Sequence, residues 1–273
     1  MNIAAFYENI VTFCEQENMS LEEALIFLRD RGLEKIVITG SNLIACHEEL
    51  MPILKRTGIG LEGIHEHFDF GSHPEDESWK RMAELTAECG GSTVLVVPGL
   101  IEPEDENRRE EMIENMIAVT AKIADFCAPL GLTAVMEDFD DMRSPYNSVA
   151  GLDRFLERIP ELKVAYDTGN LCCYLEDELE GFEHFADRTV LMHIKDRSIG
   201  NYHDEHNDYP CVCENGREEW VVPVGTGYIR IAEIISRLKE RGYRGSLIIE
   251  LYGYKDMLGG FTTSLKNMKE MIG

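Results

Sequence analysis

Short β-rich runs alternate with helical patterns from one end of this chain to the other, and that alternation constrains the fold more than any other feature. Eight such runs lie at residues 3–7, 35–39, 60–70, 92–98, 132–139, 162–167, 189–194 and 246–251. Several are continuously apolar, as in Thr93-Val94-Leu95-Val96-Val97 and Leu247-Ile248-Ile249. Parallel strands covered on both faces read this way, whereas half-exposed strands alternate. Between the runs, helices announce their ends. Ser20-Leu21-Glu22-Glu23 is a capping box, followed by Leu21, Ala24, Leu25 and Leu28 on one face, with Gly32 as the stop. Pro74, with Glu75, Asp76 and Glu77 behind it, predicts another helix start, since acids in a first turn complement the dipole. Met112, Met116, Val119 and Ile123 mark one face of a helix over 104–130, ended by Gly131, and a further helix over 229–241 ends at Gly242. Methionines at such spacing are core filler.

Eight strands separated by helices, without a linker or a shift in composition, predict one (β/α)₈ TIM barrel occupying residues 1–273. An open doubly wound sheet would place a Gly-rich phosphate turn after the first strand, and here Glu8-Asn9-Ile10 follow instead. One connection breaks the rhythm. The polar stretch at about 197–220 leaves the seventh strand on the face where barrels do chemistry, and it is too long and irregular for a routine loop. It is expected to be a lid or a substrate wall.

Composition narrows the partners. The chain carries 51 acidic and 26 basic residues, a net charge of −25, which opposes a duplex-binding role because phosphate neutralisation needs a basic face. None of the eight cysteines forms a Cys-x-x-Cys pair, and most sit in apolar runs such as Ile123-Ala124-Asp125-Phe126-Cys127. They read as buried free thiols in a reducing compartment. The start, Met1-Asn2-Ile3-Ala4-Ala5-Phe6, shows no signal pattern, and no apolar run is long enough to span a bilayer, so the expected location is cytoplasmic and no membrane partner is expected. Homo-oligomerisation stays open.

The last residues of each barrel strand face the active rim. The fifth run reaches Glu137, the sixth ends at Asp167, the seventh reaches His193 and the eighth reaches Glu250. Any one of them alone is what stands where an apolar run meets water. Four in succession are harder to explain so. Three carboxylates brought together repel one another, and a divalent cation supplies the missing charge. Oxygen and nitrogen donors without sulfur suit Mn²⁺, Mg²⁺, Co²⁺ or Zn²⁺.

These residues, with Asp167-Thr168-Gly169-Asn170, His193-Ile194-Lys195-Asp196, Pro223-Val224-Gly225-Thr226-Gly227 and Gly242-Tyr243-Arg244-Gly245, give a chain that resembles the xylose-isomerase-like barrel family of sugar isomerases and epimerases, related to tagatose epimerases. The resemblance spans nearly the whole chain and implies that Glu137, Asp167, His193 and Glu250 bind one metal ion, Mn²⁺ first among the candidates. It also implies that Glu137 and Glu250 double as the acid–base pair of a ketose isomerase or epimerase. The expected chemistry is proton removal beside a carbonyl to give an enediolate, with return on the opposite face for epimerisation or at the neighbouring carbon for isomerisation. Two positions depart from the family. Asn170 stands where many relatives carry a histidine, which favours a single metal and leaves Asn170 to hydrogen-bond a substrate hydroxyl. The substrate-binding arginine of tagatose epimerases has no clear counterpart, since Ile199 stands near the expected place and Arg197, closer to the strand, is the expected substrate contact.

Other residues bear on substrate. His65 and His67 share a side of the third strand, so His67, with Asp69, is expected in the pocket, buried hydrogen-bonded histidines being the alternative. Lys195 shares the inward parity of His193 and is expected to meet either a substrate oxygen or a neighbouring carboxylate. Arg143, Lys195, Arg197 and Arg217 leave a phosphorylated substrate open, although no Gly-rich phosphate cradle is evident. His203, His206, Cys211 and Cys213 match no common structural zinc spacing. His47 and His184 lie on helix patterns and are expected at the surface. Three rivals share the fold: an apurinic/apyrimidinic endonuclease, hinted at by Asp204-Glu205-His206 but opposed by Asn170 and the net charge; a keto-sugar or inositol dehydratase; and a non-catalytic sugar-binding barrel.

Overall fold

A computed structural model describes residues 1–200 and 206–273. Eight parallel strands close on themselves: β1 (Asn2–Phe6), β2 (Lys35–Thr39), β3 (Gly60–His67), β4 (Thr93–Val97), β5 (Thr133–Met136), β6 (Lys163–Asp167), β7 (Thr189–Ile194) and β11 (Ser246–Ile249). β11 pairs with both β1 and β7, which completes the ring and leaves no open edge. All five residues of β4 and all four of β11 are buried, as expected of staves covered inside by barrel filling and outside by helices. The outer ring is α1 (Tyr7–Glu17), α2 (Leu21–Arg29), α3 (Gly40–Thr57), α4 (Trp79–Glu88), α5 (Arg109–Cys127), α6 (Val149–Arg158), α7 (Glu178–Phe185), α8 (Ile231–Glu240) and α9 (Met257–Ile272). The fold is the TIM barrel expected from the alternation of strands and helices.

Ser20 caps α2 as a full capping box with Glu23. Met112, Met116, Val119 and Ile123 are all buried on α5. The helix expected at Pro74 begins only at Trp79. Asp76 accepts a hydrogen bond from the Ser78 N–H (2.8 Å) through its side chain and one from Trp79 Nε1 (3.0 Å) through its carbonyl, so the acids after Pro74 build a turn before the helix. At the N-terminal end of the barrel, buried Glu62 is held by Lys35 (2.8 Å), Ser92 (2.5 Å) and Ser246, a polar plug on the face that barrels use for stability.

The connection over 197–220 is more ordered than its composition suggests. β8 (Asp196–Ile199), β9 (Cys211–Val212) and β10 (Glu218–Val222) form a small antiparallel sheet in which Asp196 pairs with Val222 and Cys211 with Glu219. The cysteines also differ from expectation. Cys173 and Cys211 form a disulfide across 38 residues, tying the segment after β6 to this sheet, while the other six are free. Sequence spacing could not foresee that pair because tertiary folding alone brings the two together. Among the described residues, no helix is long and apolar enough to cross a membrane.

Candidate active site

β5, β6, β7 and β11 are four adjacent staves, so Glu137, Asp167, His193 and Glu250 rise side by side at the C-terminal mouth. Their ligand atoms, one from each residue, all lie within 4.8 Å of one another, and all four residues are buried. His193 Nδ1 is 2.8 Å from Glu137 Oε2 and 3.3 Å from Glu250 Oε2, yet neither contact has hydrogen-bond geometry. Both ring nitrogens and Asp167 Oδ2 are buried without a hydrogen-bond partner among the described residues. Buried polar atoms are rarely left so, and unpaired lone pairs converging on one point fit a cation bound by all four residues. Three carboxylates and an imidazole are the donor set of a hard or borderline divalent ion.

Electrostatics makes the same demand for positive charge. Burial works against a charged His193, but Glu137 and Glu250 outweigh it and hold the imidazole up at about 10. Burial pushes the Asp167 carboxyl up. Glu250 is equally buried, yet Lys195 and His193 keep its carboxyl well below the usual range. Asp138, whose two oxygens also lack partners, is driven well upward by burial and by the charges of Asp167 and Glu137.

A second layer surrounds the cluster. Lys195 Nζ is 2.7 Å from Glu250 Oε1, donates to Asn170 Oδ1 at 2.7 Å, and reaches Asp140 Oδ2 at 3.2 Å. Asn170 in turn donates to the Asp138 carbonyl at 2.6 Å. Arg197 is buried, pairs with Asp140, and donates through Nε to the Gly169 carbonyl at 2.6 Å. These contacts bring Asn170, Lys195 and Arg197 to the wall of one cavity of about 750 Å³, which Glu137, His193 and Glu250 of the cluster also line, with Asp167 fully buried beneath. That volume suits a small polar ligand. Phe6 packs edge-on against both His65 (4.9 Å between ring centres) and His193 (5.1 Å), holding the imidazole of the cluster in place.

His65 and His67 both line the cavity. His65 faces Glu8 at 3.4 Å, while His67 is exposed to the cavity and burial of its ring lowers its pKa. Asp69 does not line it: its carboxylate instead accepts from the Ser72 N–H at 3.1 Å. His184 is exposed and pairs with Asp153 at 2.8 Å, and His47 is half-buried. Cys211 is committed to its disulfide, and no metal-capable group among the described residues joins His206, Cys211 and Cys213. His203 and Asp204 lie outside the described residues. Arg217 pairs with Glu219 in the small sheet and does not line the cavity.

Glu8, Asp140, Tyr209 and Tyr252 line the cavity without having been singled out in the sequence. Glu8 was findable, since it follows the first strand onto the rim. Asp140 belongs to an acidic run, Glu137-Asp138-Phe139-Asp140-Asp141, in which only the first member ends a strand pattern. Tyr209 enters from the small sheet's connection, and nothing local signals it.

A closed parallel barrel with a polar cavity and a carboxylate–imidazole cluster at its C-terminal mouth has the layout of a barrel enzyme acting on a small molecule. The chain belongs to the xylose isomerase-like TIM barrel family, whose model matches residues 18–271. It is 24% identical to the inosose dehydratase of Lacticaseibacillus casei over 168 residues, which are 61% of this chain and 56% of that protein. The chain thus spans little more than half the length of that relative. The D-allulose 3-epimerase of Methylomonas sp., solved in complex with D-allulose, matches with a TM-score of 0.71 at 15% identity, over 99% of this chain and 97% of that one. A xylose isomerase-like barrel from Mycobacterium smegmatis, solved in complex with magnesium, matches at 0.68 and 18% identity, over 92% and 87%. At such identities the two structures are evidence for the fold.

Proposed function

We propose that the protein is a divalent-metal-dependent isomerase or epimerase of a ketose or related keto sugar or polyol, working through an enediolate. The convergence of Glu137, Asp167, His193 and Glu250, with unpartnered donor atoms turned toward one another, carries this assignment. Mn²⁺ is the ion we favour, with Mg²⁺, Co²⁺ and Zn²⁺ sharing the same donor chemistry. When bound, such an ion supplies the positive charge that polarises a carbonyl and stabilises the anion formed beside it. The magnesium-bound and D-allulose-bound barrels support this choice of ion class and substrate class.

The remaining work falls to the chain. Glu250, kept anionic by Lys195, takes a proton from the carbon next to the carbonyl, and Glu137 across the cluster handles the return. Asn170 fixes the Lys195 ammonium that orients Glu250. The neutral His67 ring offers a hydrogen bond to a substrate hydroxyl. The small sheet, with Tyr209 and Val212 on the cavity wall, acts as the lid that keeps water from the anion.

A second outcome of the same chemistry has an observation in its favour. The enolate of a keto-cyclitol can expel a neighbouring hydroxyl, which takes up a proton and leaves as water, and one relative at 24% identity is an inosose dehydratase. Metal analysis of protein purified without chelator tests the shared foundation. The expected content is about one ion per chain, restored by soaking after removal. A chain that takes up no divalent ion under any of these conditions would overturn the assignment.

A further inference from the structure

We propose that this cavity takes an uncharged substrate, a free ketose or keto-cyclitol carrying no phosphate. The inference rests on the sugar assignment above and narrows it. Three placements of the chain's own groups carry it.

The first is Lys195. Its ammonium donates to Asn170 Oδ1 at 2.7 Å and Asp140 Oδ2 at 3.2 Å and forms an ion pair with Glu250 Oε1 at 2.7 Å. Two carboxylates thus already compensate its single charge, which leaves little of it for a phosphate. The second is Arg197, which is 1% exposed and bound on one side to Asp140 and on the other to the Gly169 carbonyl. Its charge is already matched by Asp140.

The third placement is the most telling. Barrels commonly hold a phosphate in a cradle of backbone N–H groups beyond their last strands. Here such a cradle exists, and the chain's own carboxylate fills it. Asp196 is fully buried, and its Oδ2 accepts from the N–H groups of Gly225 and Gly227, each at 2.8 Å. Its Oδ1 accepts from those of Arg197 at 2.9 Å and Ile229 at 3.3 Å. The approach is so close that a Cβ on Gly227 would overlap the Asp196 carboxylate. Four donors suited to an anion are consumed internally.

Arg143 is the remaining arginine on the wall among the described residues. It is gripped by Asp141 through Nε (2.9 Å) and Nη2 (2.5 Å) and by Glu102 at 2.7 Å. Those pairs are exposed and therefore weak, which makes Arg143 the position to control in a test. Against it, Glu8, Asp140 and Asp141 line the same wall in addition to Glu137 and Glu250. A phosphate dianion would meet repulsion there, with no side-chain cation left unpaired among the described lining residues to offset it.

The test uses the full chain loaded with Mg²⁺ and matched pairs of probes: D-fructose with D-fructose 6-phosphate, D-ribulose with D-ribulose 5-phosphate, and scyllo-inosose, with inorganic phosphate alone as the ion control. Binding is read as a shift in thermal midpoint and turnover as deuterium gained from D₂O. The free sugars are expected to exceed their phosphates by about 10-fold or more in turnover, and inorganic phosphate at about 5 mM is expected to leave the midpoint unmoved relative to chloride. Arg143→Met should leave the free-to-phosphate ratio within about 2-fold, because that side chain is not reading a phosphate. A phosphorylated sugar turned over as well as or better than its free partner, or a midpoint raised by phosphate in the parent and not in Arg143→Met, overturns the inference while leaving the sugar assignment standing. If no probe binds or exchanges, the sugar assignment itself falls, and this inference with it.

Discussion

The Lys195 ammonium lies 2.7 Å from Glu250 Oε1, whereas Glu137 faces only His193, at 2.8 Å, and pairs with no lysine or arginine among the described residues, so the two glutamates of the cluster are not equivalent. Lys195 also compensates Asp140 and Asp167, the latter at 3.8 Å. Removing it leaves buried carboxylates facing one another. Lys195→Met is expected to cost about 3 kcal/mol of stability, the scale for breaking a buried ion pair, and to cut turnover by about 10²-fold. Urea denaturation and a turnover assay measure the two effects. A variant with parental stability would show that Lys195 is not what balances these carboxylates.

Glutamine in place of either glutamate keeps the shape and one oxygen donor but cannot accept a proton from carbon. Glu137→Gln and Glu250→Gln are each expected to lose turnover by about 10²-fold or more. Metal content must be measured in both, since weakened coordination would imitate lost chemistry. Full activity with metal bound would leave that residue as a ligand only.

Much of this layout is legible in the sequence because each barrel strand is a local object. A run of buried apolar residues ends where the stave reaches the mouth, and Glu137, Asp167, His193 and Glu250 stand at those ends. The Ser20 cap is local in the same sense. What escapes is decided by distant pairing. Asp196 joins Val222 across 25 intervening positions, so a stretch that reads as irregular becomes a sheet. Cys173 meets Cys211 only after that sheet forms. Asp140 earns its place by its contacts with Lys195 and Arg197, which no spacing in its own segment encodes.

The Cys173–Cys211 pair gives a count. Alkylation of denatured protein should label six cysteines without reductant and all eight after reduction. Reduction should also lower stability, by up to about 4 kcal/mol for a loop of this length. Eight labelled thiols in unreduced protein would show the pair to be open.

Glu8 predicts a pH dependence. Burial works to raise its pKa, but His65, the Thr39 N–H and Asn42 together lower it from 4.5 to about 2. A depressed carboxyl contributes stability that is fully present above the unfolded value and lost as pH falls from about 4.5 through about 2. The penalty of Glu8→Gln, at most about 3 kcal/mol at pH 7, should therefore shrink as the pH approaches 2. Denaturation curves of parent and variant across that range provide the check, and a penalty that stays constant would remove Glu8 from the account of acid stability.

Exchange of solvent deuterium tests the central claim most directly, because it reports proton transfer at carbon whatever the final product. Protein loaded with Mn²⁺ is incubated in D₂O with ketoses, their phosphates and scyllo-inosose, and each recovered sugar is weighed by mass spectrometry. The account predicts about one deuterium per turnover at a carbon beside the carbonyl of at least one free sugar, abolished when the metal is stripped and restored when it is returned. Metal-loaded protein that places no deuterium in any of them would contradict it.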